Sequence, residues 1–166
     1  MGLSFTVGGA KGSLREPLAR EVAGLLDNAF GEEADWEGVA PRDFGEVIAR
    51  EWSALRKCAV EVLGRDAIPN LLAFGADDRG VYLPAQVQSV SLPLREGKPL
   101  CCASLPGLRS ELEEMADHWG LSLEDSVLTA ILDSNEEVAN ERLGLARIAL
   151  AANEAARRDC PLWLFG

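Results

Sequence analysis

The chain has one histidine, four cysteines and no long apolar run, and each scarcity removes a class of chemistry. Any Ser-His-Asp or Cys-His arrangement would have to use His118. That residue falls beside Trp119 at the end of a helical pattern, where the helix dipole favours a cationic imidazole, so a structural role is expected. Cys58, Cys101, Cys102 and Cys160 make no Cys-x-x-Cys spacing of the kind that holds zinc or runs redox chemistry. Adjacent Cys101 and Cys102 would face opposite sides of a strand as small buried side chains. No apolar stretch approaches the roughly 20 residues that a bilayer-spanning helix needs. The first residues lack a basic region followed by a long apolar one, so no secretory signal is expected and the expected location is cytoplasmic.

Basic residues are scarce as well. Lys and Arg number 16 against 27 Asp and Glu, giving a net charge of −11 and a pI near 4.5. Such a surface repels nucleic-acid backbones and anionic membranes, so neither is expected as a partner. It either only keeps the protein soluble or engages a partner that carries a basic patch. At 166 residues and 48% hydrophobic, the chain is expected to form one domain. A chain of that length buries roughly 70% of its unfolded surface and needs no metal or disulfide to fold. No cofactor or metal is expected.

Residues 70–105 are the stretch that reads as strand, with helical patterns on both sides. Asn70 to Gly75 and Val81 to Ala85 are short apolar runs separated by a polar linker, which predicts a β-hairpin turned by Gly75 and Gly80. A strand over 86–92 and another over 99–103 follow, and close turns favour antiparallel pairing. Residues 3–7 alternate like an edge strand, and the apolar tail 160–165 is expected to dock as a final strand. The glycine-rich segment 8–13 matches neither phosphate-loop pattern and is expected to be a plain turn.

Leu14, Leu18, Val22, Leu25, Leu26 and Phe30 recur at helical spacing, with Pro17 as the first helical residue and Gly31 as the stop. Residues 41–64 give the cleanest helical pattern, with Phe44, Val47, Ile48, Trp52, Leu55 and Ala59 on one face. A third helix runs from Leu105 to Trp119, and Ser122 is expected to cap a fourth. Ser134 with Glu137 resembles a capping box for a fifth, which is apolar over most of its circumference and should be central. The expected fold is a single α+β domain, with a small, mainly antiparallel sheet packed by about five helices.

Residues 112–132 resemble a helix-turn-helix motif. Ser126 occupies the position where that motif has an apolar residue, and the second helix offers Glu124, Asp125 and Asp133 with no Lys or Arg. A packing hairpin is therefore expected. The paired carboxylates Asp77-Asp78, Glu113-Glu114, Glu124-Asp125 and Glu136-Glu137 do not converge on one point when they neighbour each other on a helix. No catalytic residue is assigned.

The functional expectation is a non-enzymatic acidic binding protein that engages a basic protein partner. In size, acidity and lack of motifs the chain is similar to small cytoplasmic immunity proteins that neutralise nuclease-type toxins. That similarity is one of class and rests on no shared residues. The expected contacts are Glu32, Glu33, Asp35, Trp36 and Glu37, an aromatic residue ringed by carboxylates. Trp36 is either a lid on the core or an exposed anchor. Two other classes stay open: a small enzyme or ligand-binding protein using Tyr82, Cys101 and His118, and a self-associating module using the Trp163 tail.

Overall fold

A computed structural model describes residues 2–31 and 39–165. In chain order the elements are β1 (Gly2–Val7), α1 (Ala10–Ser13), α2 (Leu18–Phe30), β2 (Arg42–Ile48) and α3 (Ala49–Leu63), then a 3-10 turn at Arg65–Ala67. β3 (Arg79–Leu83), β4 (Val90–Leu92) and β5 (Leu100–Ser104) come next. α4 (Leu105–His118), α5 (Asp125–Leu132), α6 (Asn140–Arg157) and β6 (Leu162–Phe165) complete the chain. The result is one α+β domain built on a six-stranded sheet in the order β2-β1-β6-β3-β5-β4. β3 and β5 are parallel, and every other neighbouring pair is antiparallel. Among the described residues no helix is long and apolar enough to cross a membrane.

Alternation along the strands sends side chains to two separate cores. Leu3, Phe5 and Val7 of β1, Tyr82 of β3 and Leu162 and Leu164 of β6 meet α3, α4, α5 and α6 on one face. Val81, Leu83, Leu100, Cys102 and Trp163 meet α1 and α2 on the other. Cys101 and Cys102 do face opposite sides of β5, as expected of neighbours in a strand. The apolar tail is indeed a strand, and a central one, for β6 is paired on both sides. β1 is also paired on both sides and is not an edge.

Several sequence expectations are overturned, among them the strand over 86–92, of which only Val90–Leu92 forms. Residues 42–48 form a strand, and the helix begins only at Ala49. The helical spacing of Phe44, Val47 and Ile48 came from a β-bulge, because Ser4 pairs with Glu46 but Thr6 with Asp43, which leaves two β2 residues opposite Phe5. Gly45 takes φ +78 there, a conformation that glycine adopts without strain. Residues 70–75 form turns and no strand, so the hairpin with β3 does not exist. Their backbone donors are taken by a carboxylate on α4: Glu111 accepts from the N–H groups of Asn70 at 2.9 Å and Leu71 at 2.6 Å. Gly80 is no turn residue either. It lies inside β3, where a Cβ would come within 2.4 Å of the Phe74 ring that packs on Tyr82.

α4 begins at Leu105 as expected, whereas the starts of α5 and α6 move. Ser104, not foreseen as a cap, accepts the Gly107 N–H at 3.0 Å and opens α4. Ser122 and Ser134 instead make local turns, accepting from Glu124 N–H and Glu136 N–H, and α5 and α6 begin further on. α6 is central as expected, packing on α3, α4, α5 and the sheet.

The closest backbone approach is α6 to α3. An added Cβ at Gly144 would lie 2.6 Å from the Glu51 carbonyl oxygen. Gly144→Ala gains helix propensity of about 1 kcal/mol, yet the clash with backbone should leave a net loss of about 1–3 kcal/mol in urea unfolding. Glu111 supplies a second test. Burial pushes its pKa above the usual carboxylate value, outweighing the Asn70 and Leu71 donors that pull it down. Its contribution to stability is therefore full in acid and lost as pH rises through that raised value. Glu111→Gln cannot ionise, so urea titrations across the carboxylate range should show the stability difference moving in favour of the variant as pH rises.

Candidate functional site

Glu32, Glu33, Asp35, Trp36 and Glu37 lie outside the described residues. The described chain on either side is anchored. Gly31 donates its N–H to Asp27 at the end of α2, the Val39 carbonyl accepts from Gly9 at 3.2 Å, and the Ala40 carbonyl accepts from Arg158.

The structure does not assemble the pocket residues considered from sequence. Tyr82 is fully buried and donates its hydroxyl to the Asn70 carbonyl at 3.0 Å. Cys101 is half-buried on β5, and His118 is exposed in the last turn of α4. The helix separates His118 from the end of β5 by about 20 Å at 1.5 Å per residue. The buried thiols are poor nucleophiles: burial pushes Cys102 up to about 12 and also raises Cys160. Trp163, the residue considered for self-association, is buried and donates its indole N–H to the Gly8 carbonyl at 2.8 Å.

A cleft that sequence reasoning missed lies where α4, α5 and α6 meet, with a volume of about 850 Å³. It follows from how α4 ends. Gly120, at φ +65, closes the helix, and the Leu121 N–H turns back to the Ala116 carbonyl at 2.9 Å. The chain then reverses into α5. Asn153 of α6 pins the start of α5 by donating its amide to the Leu123 carbonyl at 2.8 Å and to Asp125 Oδ1 at 2.9 Å.

Carboxylates dominate the cleft. Glu113 and Asp117, one turn apart on α4, line it together with Glu124 and Asp125. Asp125 is neutralised: it contacts Arg157 at 2.9 Å, and Arg157 in turn contacts Glu154, which pairs with Arg42 at 3.1 Å. Hydrogen bonding by Asn153 holds Asp125 below its usual pKa, and Arg157 does the same for Glu154. Glu113, Asp117 and Glu124 are exposed and have no cationic partner among the described residues. Arg109 is the one cation on the lining outside that network. Between Arg109 and Arg142 the sequence carries no Lys or Arg and ten of its 27 acidic residues. That run was the available signal for the cleft.

Three exposed carboxylates without cationic partners among the described residues give this cleft its acidic lining. Among the described residues, no three His, Cys, Asp or Glu side chains are placed to hold a metal ion. No protein-family model, curated protein or solved structure matches the chain.

Asn153→Ala leaves the Leu123 carbonyl without its amide donor and frees Asp125. It should cost about 1–2 kcal/mol in urea unfolding at neutral pH. With its pKa depressed in the folded state, Asp125 contributes stability above the usual carboxylate range and loses it as pH falls through the lowered value. The cost of Asn153→Ala should shrink correspondingly in acid.

Proposed function

We propose that this is a non-enzymatic binding protein whose acidic surface engages a basic protein partner, in the manner of an inhibitor that neutralises a toxin. The observation that supports this reading is the set of free carboxylates, Glu113, Asp117 and Glu124, at one open cleft. Desolvated pockets supply anchoring and surrounding like charges speed encounter with a partner of opposite sign. Glu32, Glu33, Asp35, Trp36 and Glu37, an aromatic residue among carboxylates in the sequence, remain the second proposed set of partner contacts.

The test is capture of a partner from the source lysate on the tagged protein, eluted by salt and identified by mass spectrometry, followed by affinity measurement with variants. A stoichiometric basic protein, released at high salt, is the expected result. Reversing Glu113, Asp117 and Glu124 to Lys should weaken its binding by about tenfold or more, since exposed charge pairs contribute up to about 1 kcal/mol each. The same reversal at Glu32, Glu33 and Asp35, and separately Trp36→Ala, measures the loop's share. If neither set of variants changes affinity or its salt dependence, the acidic surface serves solubility alone and the reading fails.

A further inference from the structure

The other large groove lies on the opposite face of the sheet, between α2 and the turn joining β4 to β5, and has a volume of about 1170 Å³. Unlike the acidic cleft, it carries more basic than acidic side chains on its lining. Three arginines line it from three different elements: Arg20 on α2, Arg79 at the start of β3 and Arg95 in the turn. Among the described residues none of these guanidinium groups has an ion-pair or hydrogen-bond partner. Arg79 is half-buried, and its guanidinium lies along the turn at Gly97, where a Cβ would sit 3.3 Å from Nη2. Glu21 and Glu96 also line the groove, with Glu21 Oε1 accepting the Arg95 backbone N–H at 2.6 Å. Arg20 and Arg95 are exposed and Arg79 is half-buried, so three guanidiniums without partners among the described residues face one groove and can be bridged by an external anion.

A second observation is independent of charge. Gly24 lies in the middle of α2 on the groove lining, and a Cβ there would meet nothing within 4 Å. A glycine inside a helix is destabilising relative to alanine. Gly24 is exposed, so the α2 backbone is open to the groove at this point.

We propose that this groove binds a ligand bearing two or more phosphate or carboxylate groups, held by Arg20, Arg79 and Arg95 along the open backbone at Gly24. Guanidinium groups match both kinds of oxyanion with paired N–H donors. The negative net charge does not forbid it, since exposed charges beyond about 8 Å are screened at physiological ionic strength.

Isothermal titration of the full chain with pyrophosphate and, separately, with tricarballylate tests the site, and the tighter probe identifies the oxyanion class. Saturable binding of at least one is expected. Arg20→Gln and Arg79→Gln should each weaken it by about tenfold, the loss of one charge-assisted contact. Gly24→Ala should raise the melting temperature and keep binding, whereas Gly24→Leu, whose side chain enters the groove, should abolish binding while the protein stays folded. No binding of either probe at millimolar concentration overturns the proposal. So does binding that survives Arg79→Gln and Gly24→Leu unchanged.

Discussion

β6 is inserted between β1 and β3, so the two halves of the sheet, from opposite regions of the chain, meet only through Leu162–Phe165. The side chains of that strand alternate between the two layers. Leu162 and Leu164 enter the core under α6, while Trp163 enters the core under α2 and stacks near-parallel with Phe165 at 6.2 Å. The indole N–H, which would otherwise be a buried unpaired donor, reaches the Gly8 carbonyl just after β1. A strand whose partners are so distant in sequence completes the sheet only after long loops have closed, which makes the topology entropically demanding to form. Once closed, it fixes the helices on both faces relative to one scaffold.

The same economy governs the helical layer. α6 must lie close to α3, and Gly144 permits the approach of backbone to the Glu51 carbonyl. Glu51 is itself buried, and its carboxylate is satisfied by Arg147 of α6 at 2.9 Å and by the Ile48 N–H. Glu111 plays the matching role on α4, holding the 70–71 backbone where a strand would have used its own ladder. Both carboxylates are structural, which is why neither belongs to a site despite being the most deeply buried acids.

What the sequence made legible follows from which signals are local. The strands at 2–7, 100–104 and 162–165 and the helices α2, α4 and α6 show their periodicity within their own residues, and each was foreseen within a few positions. β2 was not, because a bulge shifts the alternation and imitates a helical repeat. The 70–75 segment is no strand because the backbone donors of Asn70 and Leu71 are taken by Glu111, a partner some 40 positions away that no local pattern announces. The site residues fared in the same way. The exposed pairs on α4 and α5 could be dismissed singly as solvated surface, and only the turn at Gly120 and the Asn153 clamp bring Glu113, Asp117, Glu124 and Asp125 to one cleft. The lone arginines of the second groove come from α2, β3 and a turn, and nothing in their spacing joins them.

The two grooves lie on opposite faces of one sheet, with acidic side chains in excess on the first lining and three arginines against two glutamates on the second. The sheet and its two apolar cores keep them apart by roughly two layer spacings of 10 Å each, beyond the physiological Debye length. Each groove therefore keeps its local sign although the chain as a whole is strongly acidic. Were both proposed sites occupied, a basic partner on the α4–α5–α6 face and an anionic ligand on the α2 face would not compete for charge, and any influence of one on the other would have to pass through β6 and the strands it joins.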